Sequence, residues 1–275
     1  MTSPLVSPDW LSWHMGQPDL RLADVRWYLG EPERGRQAYR QAHVPGAVYV
    51  DLETDLSAEE GPGRHPLPDW EVFAARMGEL GIGDDSVVVA YDDRGGAVAS
   101  RLWWMLRAIG HERTYLLDGG LAAWVAAGHA LTDELPDNAP AELAAILRPD
   151  LTVDRDELRD RREQVLTLDA RAGERYRGES EPLDPVAGHI PGAVNAPYED
   201  NLASFGRFLP AEQLAEKYRA LGVGDGETVV YCGSGVTACH TLLAIEHAGL
   251  GPAKLYPGSW SDWSTEGYEV ATGPE

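Results

Sequence analysis

The chain has 275 residues, 43% of them hydrophobic, which is enough for two cores of ordinary size rather than one. Its 45 acidic and 23 basic residues leave a formal charge of −22 with no Lys/Arg-rich block. That balance argues against a nucleic-acid or anionic-membrane partner, because neutralising phosphates needs a basic footprint.

No basic stretch followed by an apolar core opens the sequence, and no run of about 18 apolar residues occurs, so a soluble cytoplasmic protein is expected. The two cysteines, Cys232 and Cys239, stand too close together to staple distant segments and match no paired metal-ligand spacing. A reducing compartment suits them, and no metal site is expected.

In chain order, Leu22-Ala23-Asp24-Val25-Arg26 comes first and His43-Val44-Pro45-Gly46-Ala47-Val48 follows. The stretch from Trp70 to Leu80 carries Val72, Phe73, Ala74, Met77 and Leu80 at helical spacing and is stopped by Gly81. Val87 to Tyr91 is a β-branched run bounded by Asp and Gly, as buried parallel strands are, and it leads into Asp92-Asp93-Arg94-Gly95-Gly96. Gly119-Gly120-Leu121-Ala122-Ala123-Trp124 closes this series.

The segment from Thr132 to Leu151 holds Pro136, Pro140 and Pro149 among acidic residues, the composition of an exposed connector. Beyond it the series begins again. Leu168-Asp169-Ala170-Arg171 repeats the first motif, with Asp169 at an offset of 145 from Asp24, and His189-Ile190-Pro191-Gly192-Ala193-Val194 repeats the second at 146. Pro210 to Leu221, stopped by Gly222, repeats the helix. Thr228 to Tyr231 repeats the strand at 140, and Gly258-Ser259-Trp260-Ser261-Asp262-Trp263 repeats the last motif at 139. The chain therefore reads as a duplicated α/β unit, with copies at 1–135 and 151–275 and a connector at 136–150. Each copy is expected to be an open, mainly parallel sheet with helices on both faces and ligands beyond the carboxyl ends of the strands.

The strand ending at Tyr231 runs into Cys232-Gly233-Ser234-Gly235-Val236-Thr237 and then into a helix. Gly233 and Gly235 permit backbone conformations that turn successive N–H groups inward into an anion-holding cradle, and the helix start adds its positive end. That setting favours a thiolate or persulfide anion, so Cys232 is the candidate nucleophile, although an arbitrary free cysteine is more often a small core residue. Cys239, among Ala238, Leu242 and Leu243, fits that core description. The first copy has Asp92 at the cysteine position and cannot do thiolate chemistry.

These residues resemble the rhodanese superfamily, specifically its two-domain thiosulfate and 3-mercaptopyruvate sulfurtransferases, over nearly the whole chain. Tyr39 to Ala47 is similar to the family's amino-terminal signature. Tyr256 to Trp263 is similar to its carboxy-terminal one, with Asp262 where Glu is usual. The resemblance implies that Cys232 takes sulfur from thiosulfate or 3-mercaptopyruvate as a persulfide. The sulfur then passes to a thiol, to cyanide or to a thioredoxin-like reductant by a ping-pong route without a cofactor.

The resemblance further implies Ser234 as a proton carrier linked to His65 and Glu53, the latter where the family has Asp. Arg175 corresponds to the arginine that takes the donor's carboxylate or sulfonate. Gly233, Gly235, Val236 and Thr237 form the substrate-facing loop, and Trp27 resembles an aromatic wall of the pocket. Arg171, like Arg26, reads as the partner of a structural Asp, and His43 and His189 as holders of their turns.

The loop favours the mercaptopyruvate branch, whereas Leu183, standing where that branch has a second arginine, leaves thiosulfate open. Two rival readings remain. A cysteine phosphatase of the same fold needs an arginine six residues after the nucleophile, where this chain has Ala238. A binding or regulatory module that has lost catalysis is opposed by the intact Cys232 loop and Arg175.

Overall fold

Residues 3–274 are described by a computed structural model. The apolar run from Val87 to Tyr91 is buried along nearly its whole length, and the one from Thr228 to Tyr231 along all of it. Burial on both faces makes each a central strand. The first half of the chain contains β1 (Leu5–Val6), α1 (Pro8–His14), β2 (Leu20–Asp24), α2 (Arg34–Gln41), β3 (Ala47–Tyr49), α3 (Trp70–Glu79), β4 (Val87–Tyr91), α4 (Ala99–Ala108), β5 (Thr114–Leu117) and α5 (Gly120–Ala126). The second half contains α6 (Arg155–Arg161), β6 (Leu166–Asp169), α7 (Gly173–Tyr176), β7 (Val194–Asn195), α8 (Ala211–Ala220), β8 (Thr228–Tyr231), α9 (Thr237–His247), β9 (Lys254–Leu255) and α10 (Ser259–Trp263).

The strands form two sheets, ordered β1-β5-β4-β2-β3 and β7-β6-β8-β9, and every strand pair is parallel. Apart from β1, the second order repeats the first. The repeat reaches side-chain detail. Arg26 pairs with Asp24 at 2.7 Å and donates to the carbonyl of Ala42, while Arg171 pairs with Asp169 at 2.5 Å and donates to that of Gly188. His43 stacks on Tyr39 and donates from Nδ1 to its carbonyl, and His189 does the same with Tyr176. Each of these histidines also bridges antiparallel to the tail of its own half, His43 to Thr132 and His189 to Ala271. The turn-holding role read for both histidines, and the ion-pair role read for Arg26 and Arg171, thus match the geometry.

Helices α3 and α8 occupy the predicted stretches. Gly81 and Gly222 follow them at φ of +83° and +94°, a conformation that costs glycine little. The stretch 133–148 forms no helix or strand and is pinned to the first half. Ala141 N–H donates to Gly78 O at 2.9 Å and Arg148 N–H to Ala108 O at 2.8 Å.

The halves meet through α4 and α9, whose buried faces merge into one apolar cluster that includes Trp103, Leu106, Phe208, Leu242 and Leu243. Helix α4 carries its apolar residues almost all the way round, as a helix enclosed on every side does. No helix among the described residues is long and apolar enough to cross a membrane. The consequence for function is that the loop after β8 faces the first half rather than open solvent.

Candidate active site

Cys232 follows β8 directly and is buried, with 2% exposure. Its backbone is held by the carboxy-terminal signature. The Cys232 N–H donates to Ser259 Oγ at 3.1 Å, while the Cys232 and Gly233 carbonyls accept from Trp260 N–H at 3.0 Å and Ser261 N–H at 2.9 Å. Ser259 stands at φ +56°, a strained value for a residue with a side chain, and its hydroxyl donates to Tyr256 O at 2.9 Å. In the sequence this segment marks the duplication and the resemblance; in the fold it clamps the cysteine loop.

The two loop glycines are needed for different reasons. Gly235 has φ +74°, and a Cβ there would lie 2.5 Å from the Pro257 carbonyl. A Cβ on Gly233 would lie 2.9 Å from Arg64 and 3.4 Å from Arg175, so both guanidinium groups cover this peptide. Among the described residues, the N–H groups of Ser234, Gly235 and Val236 make no hydrogen bond to the protein. They leave the loop with donors for an anion.

Beside the loop lies a cavity of about 130 Å³, walled by Trp27, Arg64, His65, Arg94, Arg175 and Leu183 together with Tyr198, Gly233, Ser234, Val236 and Thr237. Of the residues read as substrate-facing, Trp27, Arg175, Gly233, Val236 and Thr237 are in this wall. Gly235 is not: its carbonyl is turned inward to accept from Arg101 at 3.0 Å and from the Cys239 thiol at 3.3 Å. A larger cleft of about 540 Å³ runs along Trp70, Trp104, Arg155 and Tyr256, but the reactive groups are absent from its wall.

The expected proton carriers meet across the two halves. Ser234 Oγ lies 2.7 Å from His65 Nδ1, and His65 Nε2 lies 3.5 Å from Glu53 Oε1. Trp27 does more than line the pocket, since its Nε1–H holds that same Glu53 oxygen at 3.0 Å and its ring stands edge-on to His65. Burial pushes the His65 pKa below the ordinary value; Glu53 opposes this, and the Arg101 and Arg64 charges reinforce it. The ring is therefore neutral at pH 7, as a proton acceptor must be.

Arg175 is less available than its sequence position suggests. Its fork is bidentate on Glu181, at 2.6 Å and 3.1 Å, and reaches Asp184 at 3.3 Å. Arg64 is ion-paired with the other Asp184 oxygen. The short acidic segment thus neutralises both arginines while leaving them over Gly233.

Three functional-looking arginines were invisible in the sequence reading: Arg64, Arg94 and Arg101. Arg101, on α4 in the first half, has 0% exposure and no carboxylate partner among the described residues. It donates instead to Gly235 O at 3.0 Å, His65 O at 3.0 Å and Leu56 O at 3.4 Å, tying the histidine segment to the cysteine loop. The only hint in the sequence was an arginine amid the apolar run of α4. Cys239 is fully buried, and burial pushes its thiol up to about 12, in keeping with a core residue. No group of three or more His, Cys, Asp or Glu among the described residues is arranged to hold a metal ion.

Comparison with known proteins identifies the family of the chain. The rhodanese-like domain family matches residues 7–127 and again 154–266. A Pseudomonas aeruginosa protein named "Probable 3-mercaptopyruvate sulfurtransferase" is 47% identical over 99% of both chains. The human 3-mercaptopyruvate sulfurtransferase is 40% identical over 94% of this chain and 91% of its own. The crystal structure of SseA from Escherichia coli, titled as a 3-mercaptopyruvate sulfotransferase, aligns with a TM-score of 0.85 and 35% identity, covering 94% of this chain and 100% of that one. The chain belongs to the rhodanese-like family, among its two-domain sulfurtransferases.

Proposed function

We propose that this sulfurtransferase uses 3-mercaptopyruvate as its main donor and carries the sulfur as a persulfide on Cys232. In this reading unit 151–275 is catalytic, unit 1–135 lacks a nucleophile but supplies His65 and Glu53, and 136–150 joins them. The observation that carries the reading is the Ser234–His65–Glu53 chain, at 2.7 Å and 3.5 Å, beside the cysteine loop. The names of the relatives above point to the same donor.

The chemistry explains why such a chain is useful. The Cys232 thiolate attacks the donor sulfur, an S–S bond forms, and the C–S bond breaks with its electron pair leaving on the enolate of pyruvate. The proton of the donor's thiol must then reach the enolate carbon, giving pyruvate and a persulfide anion. Ser234 and the neutral His65 are suited to move that proton, with Glu53 orienting the ring. An acceptor thiol next attacks the outer sulfur, takes it as its own persulfide and regenerates the Cys232 thiolate. Cyanide does the same and leaves as thiocyanate.

Thiosulfate is the second donor to consider, and Leu183 in the cavity wall favours keeping it. Its attack releases sulfite and requires no proton transfer. The two donors therefore separate the roles. Incubation with 3-mercaptopyruvate is expected to add about 32 Da to intact wild-type protein and nothing to Cys232→Ser. Ser234→Ala is expected to lower kcat about 100-fold with 3-mercaptopyruvate and only a few-fold with thiosulfate. An adduct on Cys232→Ser, or equal losses with both donors, would overturn the corresponding assignment.

A further inference from the structure

The anionic donor must approach a chain of formal charge −22, so the cations of the cavity decide whether it enters. Three arginines are in the wall: Arg64, Arg94 and Arg175. Two of them are already balanced, because Arg64 and Arg175 face Glu181 and Asp184 in ion pairs whose acidic members are almost fully buried. Arg171 also reaches Glu181, at 3.3 Å, and is balanced by Asp169, so three cations face three anions and leave no net charge for a ligand. Glu181 is further fixed by accepting from the N–H groups of Leu183 and Asp184, so these carboxylates are part of the local fold.

Arg94 differs. It stands on the loop after β4, in the half without the cysteine, and among the described residues no carboxylate lies within ion-pair distance of it. Its two acidic neighbours in sequence are committed elsewhere. Asp92 accepts backbone N–H groups at 2.8 to 2.9 Å, including that of Arg94 itself, and Asp93 accepts from the Tyr28 hydroxyl. Asp92 thereby fixes the backbone from which Arg94 projects, and Asp93 forms no ion pair with it.

We infer that Arg94 is the specificity-determining cation that takes the carboxylate of the donor, so that the cysteine-less unit supplies substrate recognition. The inference rests on the donor reading above. It assigns to the first unit's loop the task that Leu183 cannot perform from the second. A guanidinium with no partner gains a charge-assisted bond when an α-keto carboxylate arrives, whereas Arg64 and Arg175 would have to share bonds they already make. Because Arg94 is at the exposed rim, solvent screening keeps its contribution moderate.

The test is steady-state kinetics of Arg94→Gln and Arg94→Lys with 3-mercaptopyruvate, together with inhibition of thiosulfate turnover by pyruvate. Arg94→Gln is expected to raise KM for 3-mercaptopyruvate about tenfold, with kcat within about threefold, and to weaken pyruvate inhibition in parallel; Arg94→Lys falls between it and wild type. Wild-type KM and pyruvate inhibition in Arg94→Gln would overturn the inference, and so would a fall in kcat at unchanged KM. Failure of wild-type protein to use 3-mercaptopyruvate would refute the donor reading instead. In that case weaker pyruvate inhibition in Arg94→Gln still supports the carboxylate site, and equal inhibition overturns it.

Discussion

In the first unit, the loop after β4 closes on its own first residue. Both oxygens of Asp92 accept backbone N–H groups, from Arg94 and Gly96 on one and from Val98 and Ala99 on the other, at 2.8 to 2.9 Å. In the second unit, the loop after β8 is shorter, five residues before α9 against seven before α4, and begins with Cys232. The N–H groups of Ser234, Gly235 and Val236 find no protein acceptor among the described residues. Both loops turn amides inward, but the first fills its cradle with its own carboxylate, while the second leaves its amides open to an added anion. The two copies of the loop thus differ in length as well as in first residue, one closed on Asp92 and the other open around Cys232.

Exchanging the two first residues tests this equivalence most severely. Cys232→Asp is expected to abolish sulfur transfer, by more than about 1,000-fold, while leaving a cooperative thermal transition, because an aspartate can accept the loop amides. If that variant fails to fold while Cys232→Ala folds, the two cradles are not equivalent.

Arg101 sharpens the comparison next, since it reaches from the first unit into the Cys232 loop. Loss of its bonds to the Gly235 and His65 carbonyls in Arg101→Met is expected to lower kcat with 3-mercaptopyruvate about 100-fold, with partial recovery in Arg101→Lys. A positioning role predicts that kcat falls more than KM rises. A fall in thermal stability with unchanged kcat would reduce Arg101 to a structural tie.

His240, on α9, bears on the comparison through stability rather than rate, since it holds the first loop from the interface side. Its Nε2–H donates to Gly95 O at 3.1 Å, and its Nδ1 accepts from Asn201, whose own oxygen is taken by Lys217 and Tyr218. With no acceptor for a second ring proton, burial pushes its pKa down to about 3. The unfolded chain takes up that proton near pH 6.5, so stability is complete above this value and falls as pH drops toward 3. From pH 6.5 to 4 the expected loss from this residue is about 3 kcal/mol. His240→Gln should show a flatter dependence of Tm on pH over the same range; an unchanged slope would show that other groups govern it.

What the sequence by itself determined was local or repeated. Strand, glycine loop and helix start follow one another within a few residues, so Cys232 and its loop could be read from chemistry alone. The duplication exposed Asp92 as an internal contrast. Ser234, His65 and Glu53 came from family resemblance. The sequence could not show that His65 meets Ser234 across a separation of 169 residues, or that Trp27 holds Glu53.

Tertiary structure alone decided which arginines are already paired. Arg175 stood out by position, yet its fork is filled by Glu181, an acid only six residues away whose direction no pattern reveals. Arg101 donates across 134 residues to Gly235, and Arg94 reaches the cavity from the unit that has no cysteine. Charge availability depends on what each side chain already pairs with, and that is fixed by packing within the second half for Arg175 and between the halves for Arg64.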